Sequence, residues 1–162
     1  MKIYHGGTEP ISNPKIILSQ RMLDFGRGFY TTTKKEQAES WAKTKSLRFG
    51  TAKSGIISEY SIKKEVFTEG KYCIKIFPEA SEEWLKFIIK NRREIVNHKY
   101  DIVKGPIAND KLYTTISLFE SGILSMEETI KRLKVHKLFD QISFHTEKSL
   151  SELIYLNSYK VK

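Results

Sequence analysis

Residues 25–33, FGRGFYTTT, constrain the fold more than any other stretch of the chain. Two glycines two residues apart open the segment, and aromatic and β-branched residues follow. That is the composition of a strand leaving a tight turn. Thr33 and Glu36 then stand at capping-box spacing, and Ala38, Trp41, Ala42 and Lys45 recur along one face at helical spacing. Turn, strand and helix follow one another so closely that the rest of the chain must arrange itself around this β-to-α unit.

The remainder alternates in the same way. Residues 2–5 are a short run of β-formers stopped by Gly6 and Gly7, and residues 56–62 and 72–77 read as further strands. Ser81 caps an amphipathic helix reaching about Val96. Its apolar stripe is Trp84, Phe87, Ile88 and Ile95, of which Trp84 and Phe87 are expected in the core, and Lys86, Lys90 and Arg93 form a solvated stripe opposite. Residues 100–108 form an apolar strand and residues 110–120 a short helix. Ser125 and Glu128 open another helix, whose basic end (Lys131, Arg132, Lys134, His136, Lys137) complements the helix dipole. Residues 141–146 alternate as a strand, Thr146 caps a last short helix, and residues 155–161 end the chain as a strand. With no repeat and no linker-like stretch, one α+β domain over residues 1–162 is expected.

Composition narrows the chemistry. A chain 40% hydrophobic with four prolines and nine glycines is globular rather than disordered or collagenous. The single cysteine, Cys73, excludes a disulfide framework, and its place beside Ile74 and Ile76 predicts a buried, inert thiol. The four histidines (His5, His98, His136, His145) lack zinc-site spacing, so no metal is expected. No apolar run approaches the ~18 residues of a membrane span. The start, MKIYHGGTEP, lacks a signal-peptide pattern. The expectation is therefore a reduced, cytoplasmic protein with no membrane partner. Lys and Arg exceed Asp and Glu by 28 − 19 = +9, which leaves room for an anionic partner such as a nucleotide or nucleic acid.

One constellation carries chemistry: Tyr4-His5-Gly6-Gly7, then Asp24 through Thr32 around Gly26-Arg27-Gly28-Phe29-Tyr30, then Trp41 eleven residues after Tyr30. A strand running into a helix brings Tyr30 and Trp41 back toward each other. They could then face across a slot for one planar ring, a cationic ring gaining most from the Trp face. The plainer readings are an edge-strand histidine, two core aromatics and a solvated loop arginine.

These segments resemble the ADP-ribosyltransferase superfamily of the diphtheria-toxin and poly(ADP-ribose) polymerase type. The matching residues are His5-Gly6, Gly26-Arg27-Gly28-Phe29-Tyr30 and Trp41. GFYTTTKKEQAESWA is similar to the toxin version, and YDIVKGPIAND and QISFHT are similar to a group of small bacterial proteins of that superfamily found beside a partner gene. The resemblance implies split mixed and antiparallel sheets with flanking helices and a central NAD cleft. It implies that His5 bonds a ribose hydroxyl, that the Gly6 backbone binds the nicotinamide carboxamide, and that Tyr30 and Trp41 sandwich the ring. Arg27 would reach the NAD phosphates. The activity implied is mono-ADP-ribosyl transfer from NAD to a macromolecular acceptor, protein or nucleic acid. A bacterial toxin with an antitoxin partner is the implied context. NAD hydrolysis and a catalytically silent NAD-binding module are the alternatives.

The chain departs from that pattern at the late strand. Where the family has a glutamate, the match is Gln141, a neutral amide that offers neither charge to an oxocarbenium nor a base to an acceptor. Asp140 and Glu147 are the carboxylates closest in sequence.

Overall fold

A computed structural model describes residues 1–16, 23–48, 54–93, 98–107, 110–134 and 140–161. Among them the strands are β1 (Lys2–Gly7), β2 (Phe29–Thr31), β3 (Ile56–Ser61), β4 (Ile74–Ile76), β5 (Ile102–Pro106), β6 (Asp140–Phe144) and β7 (Ile154–Lys160). The helices are α1 (Lys35–Arg48), α2 (Glu82–Arg93), α3 (Asp110–Glu120), α4 (Met126–Lys134) and α5 (Glu147–Leu150). The chain is mixed α+β, with two separate sheets ordered β1-β3-β7 and β2-β6-β5-β4. All pairings are antiparallel except β4 with β5. Among the described residues, no helix is long and apolar enough to cross a membrane.

Two apolar clusters hold these layers together. Ile3 and Tyr60 from the first sheet, with Ile62 just past the end of β3, meet Phe29, Ile102, Ile142 and Phe144 from the second. On the other face of the second sheet, Phe25, Val103, Trp84, Leu85, Ile88, Ile116 and Leu133 pack beneath the helices. The period of two explains the division: Ile142 and Phe144 face one way, and Gln141 and Ser143 face the other. Trp84, fully buried, satisfies its indole N–H on the Pro106 carbonyl at 3.1 Å.

Most helix starts form as their caps predict. Ser81 Oγ accepts from the Trp84 N–H, and Ser125 and Glu128 exchange bonds in both directions. Thr146 caps α5 by accepting from the Ser149 N–H. The box expected at Thr33 and Glu36 does not form. Asp140 Oδ1 accepts from both the N–H and the hydroxyl of Thr33, so α1 begins at Lys35. A tertiary carboxylate has displaced a local cap. The expected end of the Ser81 helix, about Val96, lies outside the described residues, as do His136 and Lys137. Cys73 corrects another expectation: β4 starts one residue later, and the thiol is exposed rather than buried.

Candidate functional site

The edges of the two sheets meet at a single bridge. Tyr4 and Thr32 exchange both backbone hydrogen bonds at 2.9 Å. Continued antiparallel pairing would set Gly6 opposite Tyr30, but β2 pairs onward only with β6. Strand alternation points the Gly6 peptide groups to the same side as those of Tyr4, toward β2. Instead of a ladder bond, the His5 Nδ1–H donates to the Tyr30 carbonyl at 2.7 Å.

His5 is buried and lies stacked on Phe29, ring centroids 4.6 Å apart. Burial, with the Lys45 ammonium adding to it, pushes the imidazole pKa down to about 3. His5 is therefore neutral at physiological pH. With Nδ1 donating, Nε2 is an acceptor, and among the described residues nothing donates to it. The expected role of His5 toward a ribose hydroxyl asks for that acceptor.

Gly6 has a steric reason to be glycine. A Cβ there would stand 2.2 Å from the Ala38 carbonyl oxygen and 3.0 Å from the Trp41 Cβ. The small face of α1, Ala38 and Ala42, lies directly against β1, and this contact brings Trp41 beside Gly6. Trp41 is half-buried. From the same face Lys45 reaches back, and its ammonium donates to the Gly6 carbonyl at 2.7 Å. Burial, with Arg48 adding to it, lowers the Lys45 pKa to about 8. Within the Gly6 backbone expected to bind a carboxamide, the carbonyl thus already holds one donor and keeps a second lone pair.

Tyr30 and Gln141 stand together on the helix-covered face of the second sheet. Tyr30 is opposite Ser143, so its ring points away from the His5 ring and the two residues meet through the Tyr30 backbone. The Tyr30 hydroxyl donates to the Gly26 carbonyl at 2.6 Å and accepts from the Phe25 N–H at 3.0 Å. Burial, then the Asp24 charge, raises its pKa well above the ordinary phenol value. Its aromatic neighbour is His145, edge-on at 6.5 Å. Tyr30 is thus both a site candidate and a clamp on the turn that precedes it.

That turn accounts for both glycines of the Gly-x-Gly pair. Gly26 sits at φ +85°, with its N–H on the Leu23 carbonyl, and a Cβ at Gly28 would stand 2.7 Å from the Phe144 carbonyl oxygen. Between them Arg27 exposes its side chain, while its carbonyl accepts from the His145 Nδ1–H at 2.6 Å.

Gln141 is buried. Its Nε2 lies 3.4 Å from the Pro106 carbonyl oxygen and 3.5 Å from Asp24 Oδ2. Asp24 Oδ1 accepts from Arg92, Nη2 at 2.7 Å and Nε at 2.9 Å. Asp24 is a neighbour of Gln141 that sequence reasoning did not single out. It falls within the quoted constellation, but nothing in the spacing of Asp24 and Gln141 announces that they meet. The two carboxylates closest to Gln141 in sequence are placed elsewhere: Asp140 binds Thr32 and Thr33, and Glu147 is exposed in the first turn of α5. A cavity of about 480 Å³ opens beside Phe77, Lys104, Pro106, Lys134 and Asp140. None of the six sequence-predicted site residues lines it.

Comparison with curated proteins and with solved structures finds no match. The family model described as "Protein of unknown function (DUF3990)" matches residues 1–155, and the chain belongs to that family.

Proposed function

We propose that the chain is a mono-ADP-ribosyltransferase that cleaves the nicotinamide–ribose bond of NAD and passes ADP-ribose to a macromolecular acceptor. In this reading the two sheets are the split sheets of an ADP-ribosyltransferase-like fold, and NAD binds where β1 and β2 part. The observation that carries the reading is that parting. Beyond the Tyr4–Thr32 bridge, the backbone of Gly6 faces β2, with a neutral His5 beside it whose Nε2 is an acceptor.

His5 Nε2 accepts from a ribose hydroxyl, the Gly6 peptide meets the carboxamide, and Trp41, beside Gly6, offers an aromatic face to the cationic ring. Tyr30 closes the other side, and Arg27, exposed at the turn, meets the phosphates. The glycosidic bond breaks with its electron pair passing to the nicotinamide nitrogen, which becomes neutral as positive charge develops on the ribose. The Lys45 ammonium disfavours the cationic ring and tolerates the neutral product, so it favours departure. A bacterial toxin restrained by an antitoxin protein fits this chemistry, as the sequence resemblance implies.

A second reading, a silent NAD-binding module, draws on the neutral, buried Gln141 at the position where a carboxylate is expected. Incubation with adenine-labelled NAD and cell lysate separates the readings. Label on protein or nucleic acid with nicotinamide freed supports transfer, and nicotinamide with free ADP-ribose supports hydrolysis. Bound NAD with no nicotinamide released overturns both in favour of the module.

A further inference from the structure

Resting on this reading, we infer that Asp24 supplies the carboxylate that Gln141 lacks, with Oδ2 as the negative charge facing the ribose carbon. Its geometry divides the two oxygens. Oδ1 takes both Arg92 bonds, at 2.7 and 2.9 Å, and Oδ2 has Gln141 Nε2 at the long distance of 3.5 Å. One oxygen is anchored, and the other keeps most of its accepting capacity beside the amide.

The anchor is rigid. Asp24 occupies the turn closed by the Gly26 N–H on the Leu23 carbonyl, and Tyr30 holds the Phe25 N–H and the Gly26 carbonyl of the same turn. His98 adds its Nε2–H to the Phe25 carbonyl at 2.8 Å. A carboxylate fixed in this way meets developing charge without reorganising, which is what makes electrostatic catalysis effective. The surroundings also keep unused polar capacity. Asn91 is 2% exposed, and its Oδ1 would lie 3.1 Å from a Cβ on Gly26. Among the described residues, Asn91 Oδ1 and Arg92 Nη1 are buried without a hydrogen-bond partner. Asn91 Oδ1 is thus an unpaired acceptor beneath the turn, a costly arrangement that a ligand hydroxyl reaching it would relieve.

In the transfer step, the bond from C1′ to the nicotinamide nitrogen breaks and its electron pair leaves with neutral nicotinamide. Asp24 stabilises the resulting cation. The acceptor's lone pair then forms the new bond to C1′, and the proton it sheds passes to Asp24 Oδ2.

The test is nicotinamide release by Asp24→Asn, which keeps an oxygen for Arg92 and removes the charge. Release is expected to fall about 100-fold, the usual cost of losing one preorganised electrostatic group, with NAD affinity little changed and a lower unfolding temperature, because the largely buried Arg92 loses its counter-charge. Adding Gln141→Glu restores the charge from the neighbouring position, and the double variant is expected to regain at least about tenfold of that loss. Asp24→Asn with wild-type release, or a double variant with no recovery, overturns the role of Asp24 and leaves the transferase reading standing. A wild-type protein that neither binds NAD nor frees nicotinamide overturns that reading itself. If Asp24→Asn does not fold, Gln141→Glu alone decides. A second carboxylate beside Asp24 raises the pKa of one member of the pair, so the pH profile of release is expected to shift upward, and an unshifted profile overturns the inference.

Discussion

Two histidines beside the Gly-x-Gly turn are built alike and finished differently. His5 donates Nδ1–H to the Tyr30 carbonyl and His145 donates Nδ1–H to the Arg27 carbonyl, at 2.7 and 2.6 Å. Burial is the main force lowering both pKa values, to about 3 and about 4, helped by Lys45 in one case and His98 in the other. The difference lies at Nε2. In His145 it accepts from the Ser143 hydroxyl at 2.7 Å, so the ring is closed within the fold. In His5 it accepts from none of the described residues. The same tautomer, set by the same kind of bond, closes one ring within the fold and leaves the other with an acceptor that no described residue uses.

The strongest test of this pairing is pH. An unfolded chain protonates each imidazole near 6.5, but the folded chain resists until about 4 for His145 and about 3 for His5. Between these values the unfolded state binds more protons, so stability falls as pH falls through the window. Each histidine contributes roughly 1.4 kcal/mol per pH unit there. Urea unfolding of wild type and of a His145→Phe variant between pH 7 and 4.5 should show the variant with a shallower slope. Parallel curves would show that His145 titrates normally.

Gly6→Ala tests the ground on which His5 stands. Its Cβ would meet the Ala38 carbonyl at 2.2 Å, so a loss of about 3 kcal/mol or more is expected. Gly7→Ala, with nothing nearer than 3.4 Å, should cost far less. Comparable denaturation midpoints for the two would contradict the α1–β1 contact. Next comes His145→Ala, which leaves the Arg27 carbonyl and the Ser143 hydroxyl short of a partner and should cost about 2 kcal/mol of stability. His5→Ala should instead act chiefly on NAD affinity, read by calorimetry. If His145→Ala weakens NAD binding as much as His5→Ala does, the distinction between the rings fails.

Trp41→Ala is expected to weaken NAD binding by about 1–3 kcal/mol while the protein stays folded, since the ring is half-buried rather than core. Collapse of the fold would make Trp41 a packing residue. The smallest effect belongs to Tyr30→Phe, which removes two bonds from the Gly26 turn and should cost about 1 kcal/mol, measurable as a lower unfolding temperature.

Periodicity and caps made much of the architecture legible. The helices of residues 81–93 and 125–134 follow from apolar stripes and from Ser caps that form as written, because both signals are local. Where a distant group intervened, local reading failed. Asp140 drew Thr33 away from its cap, and the short β4 left Cys73 outside the strand and exposed. The site divides in the same way. His5, Gly6, Tyr30 and Trp41 were legible as candidates because they fall on one β-to-α unit and its neighbouring strand. The pairing of Gln141 with Asp24 could not, since 117 residues separate them.

The order of elements, the face each helix buries and the glycine required at position 26 were set by the amino-acid sequence, through side-chain volume and backbone freedom acting over a few residues, whereas Gly6 and Gly28 are required by the distant carbonyls of Ala38 and Phe144. Only the tertiary structure decided which side of the second sheet each site residue takes, which histidine keeps an acceptor, and which carboxylate stands beside Gln141. Those outcomes depend on strand register and on one isolated bridge between the sheets, contacts across the chain that no local pattern encodes.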